Sequence, residues 1–162
     1  MGLSKIRFDC YVLEPSTVVC ERLVQGYCKL PYPGHPQGCP NFANKDGCPP
    51  AIGLWRDIFE PIARTSVCQW DFQTYRQMMQ DRHPGWTDRQ VRNPLYWQGY
   101  IRKRFYKWAW ANAEPEEHVV LVPEAMGVNV TRMAENLDIA LEWPPMVNLH
   151  LVALYGVYQC ST

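Results

Sequence analysis

The chain lacks a net charge: its 16 Lys and Arg residues are balanced by 16 Asp and Glu. That excludes a global electrostatic field that would draw in nucleic acid or an acidic partner. It also lacks any apolar run approaching the roughly 20 residues a membrane helix needs. The opening Met-Gly-Leu-Ser-Lys-Ile-Arg-Phe-Asp has no apolar stretch of the kind a signal peptide carries. Gly2 is followed by Ile6 where a myristoylation motif wants Ser or Thr. A cytoplasmic location and no membrane partner are therefore expected. There is no Walker loop, Gly-x-Gly-x-x-Gly, His-Glu-x-x-His or Gly-x-Ser-x-Gly, so dinucleotide folds and serine-hydrolase triads have no support. Cys-x-x-Cys pairs are absent too, which removes the usual zinc-ribbon and ferredoxin spacings. No internal repeat or low-complexity segment is present.

What the chain does have is cysteine in an unusual setting. Its 7 cysteines are an odd number, which argues against a closed disulfide framework. In a reducing compartment they are thiols or ligands. Cys28, Cys39 and Cys48 fall in residues 28–50, a stretch that can be neither helix nor strand. Pro31, Pro33, Pro36, Pro40, Pro49 and Pro50 remove backbone donors, and Gly34, Gly38 and Gly47 permit turns. Cys39 and Cys48 each follow a glycine and precede a proline, which gives a sharp turn, an exposed sulfur and a rigid exit. A loop with so little apolar surface needs another holder, and a metal gripped by these three thiols is the expected one. Tetrahedral zinc requires a fourth ligand, for which Cys68 at a strand end and His35 are the candidates. A 4Fe–4S cluster with three thiolates leaves one iron open to a substrate. Cys10 and Cys160 lie on strands and are expected to point into the core.

At 162 residues the chain is expected to be a single domain (1–162), with 28–50 as its metal-binding loop. Ile6, Phe8, Cys10 and Val12 alternate with Arg7, Asp9, Tyr11 and Leu13, the pattern of a strand. A helix is expected from Pro15 to about Gly26, with Val19, Leu23 and Val24 inward, and another over about 51–59, ended by Pro61. Residues 62–68 read as a brief strand. Asp71 is placed to cap a helix over 72–82. Thr87 and Gln90 form a capping box. Asn93 and Pro94 open the longest helix, about 94–112, with Trp97, Ile101, Phe105 and Trp108 as its apolar stripe. Residues 118–122 and 148–157 are strands, and Asn129 or Thr131 caps a short helix between them. The expected class is α/β or α+β, a single compact layered domain with a small sheet flanked by helices.

Charge is segregated along the chain. Residues 82–113 carry a net +6, with Asp88 the lone acid, and residues 114–162 carry a net −6. Within the basic block Tyr96, Tyr100, Lys103, Lys107 and Trp110 recur at helical spacing. Aromatics interleaved with cations suit nucleic acid, and an RNA-binding protein using helix 94–112 is one alternative function. The simpler reading makes this a core helix whose aromatics fill the interior. Substrate contacts are expected from His35, Tyr96, Trp97, Arg102, Lys103 and Asn129. Glu124 follows a strand and is a candidate acid–base group, since ligands gather at strand carboxyl ends in open α/β sheets.

Three segments taken together resemble an uncharacterised group of small prokaryotic predicted metal-binding proteins. They are Cys28-Lys-Leu-Pro-Tyr-Pro-Gly-His-Pro-Gln-Gly-Cys39-Pro-Asn with Cys48-Pro-Pro, His83-Pro-Gly-Trp-Thr-Asp-Arg-Gln-Val-Arg with Tyr96-Trp-Gln-Gly99, and Pro123-Glu-Ala-Met-Gly-Val-Asn-Val-Thr131. The likeness runs through nearly the whole chain in the same order. It implies a cysteine-bound metal, with an iron–sulfur cluster as its leading form, on Cys28, Cys39 and Cys48. Larger relatives carry a second cysteine cluster before the Pro-Glu segment, whereas residues 111–123 here hold no cysteine. The resemblance brings no activity with it. The leading expectation is a 4Fe–4S protein, possible enzymatic use being desulfuration or sulfur transfer on a sulfur-containing or nucleotide-like small molecule. The alternative cofactor is zinc, in a structural module that binds a partner.

Overall fold

The computed structural model describes residues 5–31 and 35–160. Gly2, Pro33 and Gly34, named above, lie outside them. Four strands form one antiparallel sheet: β1 (Ile6–Leu13), β2 (Phe59–Asp71), β3 (His118–Val120) and β4 (Asn148–Tyr158), in the order β1-β2-β4-β3. The alternation in β1 sets its register, with Phe8 opposite Cys68 and Leu13 opposite Ala63. On the central pair, Cys68 faces Leu151 and Thr65 faces Leu154.

Period-two alternation gives the sheet two apolar faces, and each is covered. On one face Cys68, Trp70, Leu149, Ala153 and Tyr155 meet α3 (Phe72–Arg82) and α5 (Gln98–Ala111). These helices contribute Phe72, Tyr75, Ile101, Phe105 and Ala109. On the other face Leu13, Ala63 and Leu154 meet α2 (Trp55–Ile58) and α6 (Val130–Glu135), through Trp55, Phe59, Val130 and Met133. The result is one compact layered domain of mixed helix and sheet. The antiparallel pairing makes it α+β.

Local signals specify several ends. Asp71 caps α3 by accepting from the Thr74 N–H at 3.0 Å. Thr87 and Gln90 form the capping box that opens α4 (Asp88–Val91). Asn93 caps a 3-10 turn, Pro94–Tyr96, and α5 begins only after it, because Trp97 breaks the helical backbone with φ −132°. The inward stripe of α5 is Ile101, Phe105 and Ala109, joined by Trp97 from just before it. Trp108 instead stacks on Phe8 at the margin, ring centres 5.2 Å apart.

Other expectations give way to tertiary pairing. Residues 15–26 are not one helix: a 3-10 turn (Pro15–Thr17) and α1 (Arg22–Gly26) flank an extended segment at 18–20. The β-branched run there pairs with residues 127–129. Glu21 N–H donates to Gly127 O (2.7 Å), Asn129 N–H donates to Val19 O (2.7 Å), and Cys20 bridges to Val128. Leu23, expected inside, is exposed. Pro61 does not stop a helix. It sits in the irregular stretch of β2 between Phe59 and Ala63, where a missing ladder donor costs little. Residues 118–122 yield only the short edge strand β3.

Candidate metal centre

The cysteine loop hangs from the second layer at both ends. Gln25, buried at the end of α1, donates through Nε2 to Ile52 O (3.2 Å) and Ala125 O (2.9 Å). The loop's exit and the Pro123–Met126 turn are thereby tied to its entrance. Between these ties the chain is a succession of turns. Cys39 N–H donates to Cys28 O at 2.7 Å, Ala43 N–H to Pro49 O at 2.8 Å and Cys48 N–H to Lys45 O at 2.9 Å. Gly38 makes this possible. Its φ is +85°, and a Cβ there would stand 2.5 Å from Cys28 O and 2.8 Å from the Lys29 carbonyl carbon. Only a residue without a side chain lets the two strands of the loop touch.

This close approach lays the Cys39 backbone against that of Cys28. Cys28, Cys39 and Cys48 are each half-buried. Burial raises the Cys28 thiol, and the charges of Cys39, Cys48 and Glu124 raise it further. All four influences disfavour the thiolate. Cys28 and Cys39 line a cavity of about 410 Å³ with Lys29, His35, Gln37, Phe42 and Asn44. Cys48 and Glu124 stand outside that lining and act on Cys28 through their charge. Among the described residues, no group of three or more His, Cys, Asp or Glu side chains is gathered for a single metal ion.

Glu124 joins this region by a route other than the one expected. The sheet is antiparallel, so the strand-end rule for open α/β sheets does not apply. Glu124 arrives on the turn that Gln25 clamps beside α1. Glu124 is exposed at the surface. Desolvation raises its pKa, against a backbone hydrogen bond and the charge of Arg102. Arg102, exposed on α5, acts on it through its charge.

The remaining sequence candidates fall elsewhere. Cys68 is fully buried under α5, in the core of the opposite sheet face, and desolvation pushes its thiol up to about 12. It is not among the groups that act on Cys28 or line the cavity. Trp97 is a core residue whose Nε1 donates to Arg92 O at 3.1 Å. Asn129 caps α6, accepting from the Arg132 N–H at 3.2 Å. Tyr96 and Lys103 are exposed, away from the loop cavity's lining. Cys10 and Cys160 are exposed rather than in the core. Sequence reasoning missed Gln25, a lone polar residue in an ordinary short helix. It missed Phe42 as well, which lies under the Lys29 ammonium at 5.1 Å and is the one aromatic between Cys39 and Cys48.

A larger cavity, about 790 Å³, opens at the ends of β1, β2 and β4 among Val12, Pro61, Ala63, Arg64, Glu117 and Tyr155. Its walls are apolar, and its principal charges, Arg64 and Glu117, satisfy each other through two hydrogen bonds at 2.8 and 2.6 Å. The smaller thiol-lined cavity has the more capable chemistry. Among the described residues, no helix is long and apolar enough to cross a membrane. No family model, curated protein or solved structure matches this chain.

Proposed function

We propose that the chain is a cytoplasmic metalloprotein that binds a 4Fe–4S cluster through Cys28, Cys39 and Cys48. The observation that supports this reading is the cavity lined by Cys28 and Cys39, with the charges of Cys39, Cys48 and Glu124 acting on Cys28. Thiolates gathered this way repel one another, and a bound cation relieves that repulsion. The donor set is soft and sulfur-rich, which favours iron–sulfur over hard cations. A cluster also spreads its ligands more widely than a single zinc ion does, in keeping with thiols that sense each other across a loop.

When bound through three thiolates, such a cluster would supply one iron with Lewis-acid character. The protein's own part is to hold and orient. Glu124 and Arg102 put a carboxyl and a guanidinium on the Cys28 side, a pair suited to orienting a polar small molecule. His35 and Lys29 line the other side. A sulfur-containing or nucleotide-like substrate, in desulfuration or sulfur transfer, is the enzymatic form of this proposal.

The test is metal and acid-labile sulfide content, with a visible spectrum, on protein purified without oxygen. Brown protein with about four irons and four sulfides per chain is the expected result. Cys28→Ser, Cys39→Ser and Cys48→Ser should each lose the chromophore, while Cys160→Ser keeps it. One zinc per chain and no colour would replace the cluster with a structural clasp.

A further inference from the structure

The outward stripe of α5 is built unlike an ordinary solvated helix face. We infer that it is a binding platform for single-stranded nucleic acid, independent of whatever occupies the cysteine loop. Tyr100, Lys103, Lys107 and Trp110 follow one another at intervals of three and four, so they share one side of the helix, and Tyr96 stands on the 3-10 turn just before it. The simpler expectation was that these aromatics fill the core. They do not: Ile101, Phe105 and Ala109 are the fully buried positions, while Tyr96, Tyr100 and Trp110 are 54%, 40% and 54% exposed.

The charges on this face are equally unspent. The helix carries Arg102, Lys103, Arg104 and Lys107 and no acid. Arg104 lies over the Tyr100 ring, 4.7 Å from its centre, so a cation and a π-face are already layered together. Among the described residues, Lys103, Arg104 and Lys107 take part in no ion pair, and no ion pair joins the basic block 82–113 to the acidic block that follows it. The acidic half of the molecule therefore leaves this positive stripe largely unneutralised, with Arg102 alone drawn towards Glu124.

At its N-terminal end the stripe continues into a ring ladder. His83 stacks on Trp86 at 4.0 Å with planes 11° apart, and Trp86 meets Tyr96 at 4.9 Å. Tyr96 belongs to both arrays. From Tyr100 to Trp110 the helix rises about 15 Å, long enough for several bases rather than one ring. Open π-faces interleaved with unpaired cations match a polymer that alternates flat bases with phosphates, provided its bases are not already stacked in a duplex. An acidic polypeptide would use the lysines and leave the rings idle.

The experiment is fluorescence anisotropy of a fluorescein-labelled single-stranded oligothymidylate with the full-length protein, across salt concentrations of about 50 to 200 mM. Three phosphate contacts predict a log–log salt slope of roughly −2. Tyr100→Ala and Trp110→Ala should each weaken binding roughly tenfold, with Trp110→Phe retaining most of it. The Lys103→Gln, Lys107→Gln double variant should flatten the slope by more than half. Trp110 is on the solvent face and Tyr100 at its margin, beside the buried Trp70, so unchanged thermal melting of each variant establishes that binding alone was altered. If a variant melts early, the salt slope of the parent and the lysine variant decide the matter. Absence of binding at low salt would overturn the proposal. So would tight binding that survives loss of both rings, or displacement by polyglutamate as readily as by unlabelled oligonucleotide, since either would leave only charge.

Discussion

Around α5, every inward position carries apolar bulk: Trp97, Ile101 and Phe105 press against Trp70, Phe72 and Tyr155 across the sheet. Along the described part of the cysteine loop, residues 35–50, only Gly38 and Pro49 are buried. The first region is shaped by what its side chains displace from water. The second is shaped by backbone turns and by a glycine that permits contact. The comparison teaches where each region is vulnerable: the core to lost volume, the loop to added volume.

The largest way to break this contrast is Phe105→Ala. It should cost about 3–5 kcal/mol in urea unfolding, while chains that remain folded keep their full metal content. Metal loss in proportion to the stability lost would mean that the two regions are one cooperative site. Next is the Arg64–Glu117 pair, whose side chains are 25% and 9% exposed. Burial alone would raise the Glu117 carboxyl. Hydrogen bonds from Arg64 and from the Glu114 N–H, with the charge of Arg64, outweigh it and hold the pKa below the usual carboxylate value. A depressed folded pKa means stability that is present above the unfolded value and lost as pH falls through the folded one. Glu117→Ala should cost roughly 2–3 kcal/mol at neutral pH. Glu117→Gln should show a shallower loss of stability on acidification than the parent; parallel acid profiles would remove the pair from the balance.

Gly38→Ala should be smaller in energy, about 1–3 kcal/mol of local strain, and larger in function. The urea midpoint should fall by no more than that strain, and the proposed metal should be lost, because the Cys39 turn cannot close on the Cys28 backbone. A Gly38→Ala protein with normal metal content would show that the loop finds its thiol arrangement another way. The smallest effect belongs to Asn129→Ala, about 1 kcal/mol for a lost cap. It sharpens the comparison because Asn129 also ends the pairing with residues 19–21 that anchors the loop. Its variant should bring early proteolysis near residues 28–50 without a matching change around α5.

Legibility followed the range of the interactions. The Thr87–Gln90 box, the Asp71 cap and the β1 alternation are complete within a few residues, and each is where the sequence puts it. The irregular form of the loop was legible because the prolines and glycines around Cys28, Cys39 and Cys48 allow neither helix nor strand. The extended form of residues 18–20 was not, since Pro15-Ser16-Thr17 looks like a helix start and its pairing partner lies beyond residue 126. Strand order was hidden for the same reason. Glu124 was chosen on the logic of a parallel sheet and reaches Cys28 through Gln25 instead. The α5 aromatics were assigned inward by composition, whereas Ala109 and the neighbouring Trp97 already complete the buried stripe.

The central pairing of the sheet runs from Ala63 opposite Gly156 to Asp71 opposite Asn148. The seven segments described between Asp71 and Asn148, from α3 to α6, must be spanned before that ladder closes, and such closure is slow because its entropy is lost before the pairing rewards it. During synthesis Cys28, Cys39 and Cys48 leave the ribosome first. Glu124 and the residues that pair with 19–21 follow much later, and β4 comes last. The loop that carries these thiols is therefore made well before residues 125–129, and its entrance has no partner until that later stretch of chain arrives.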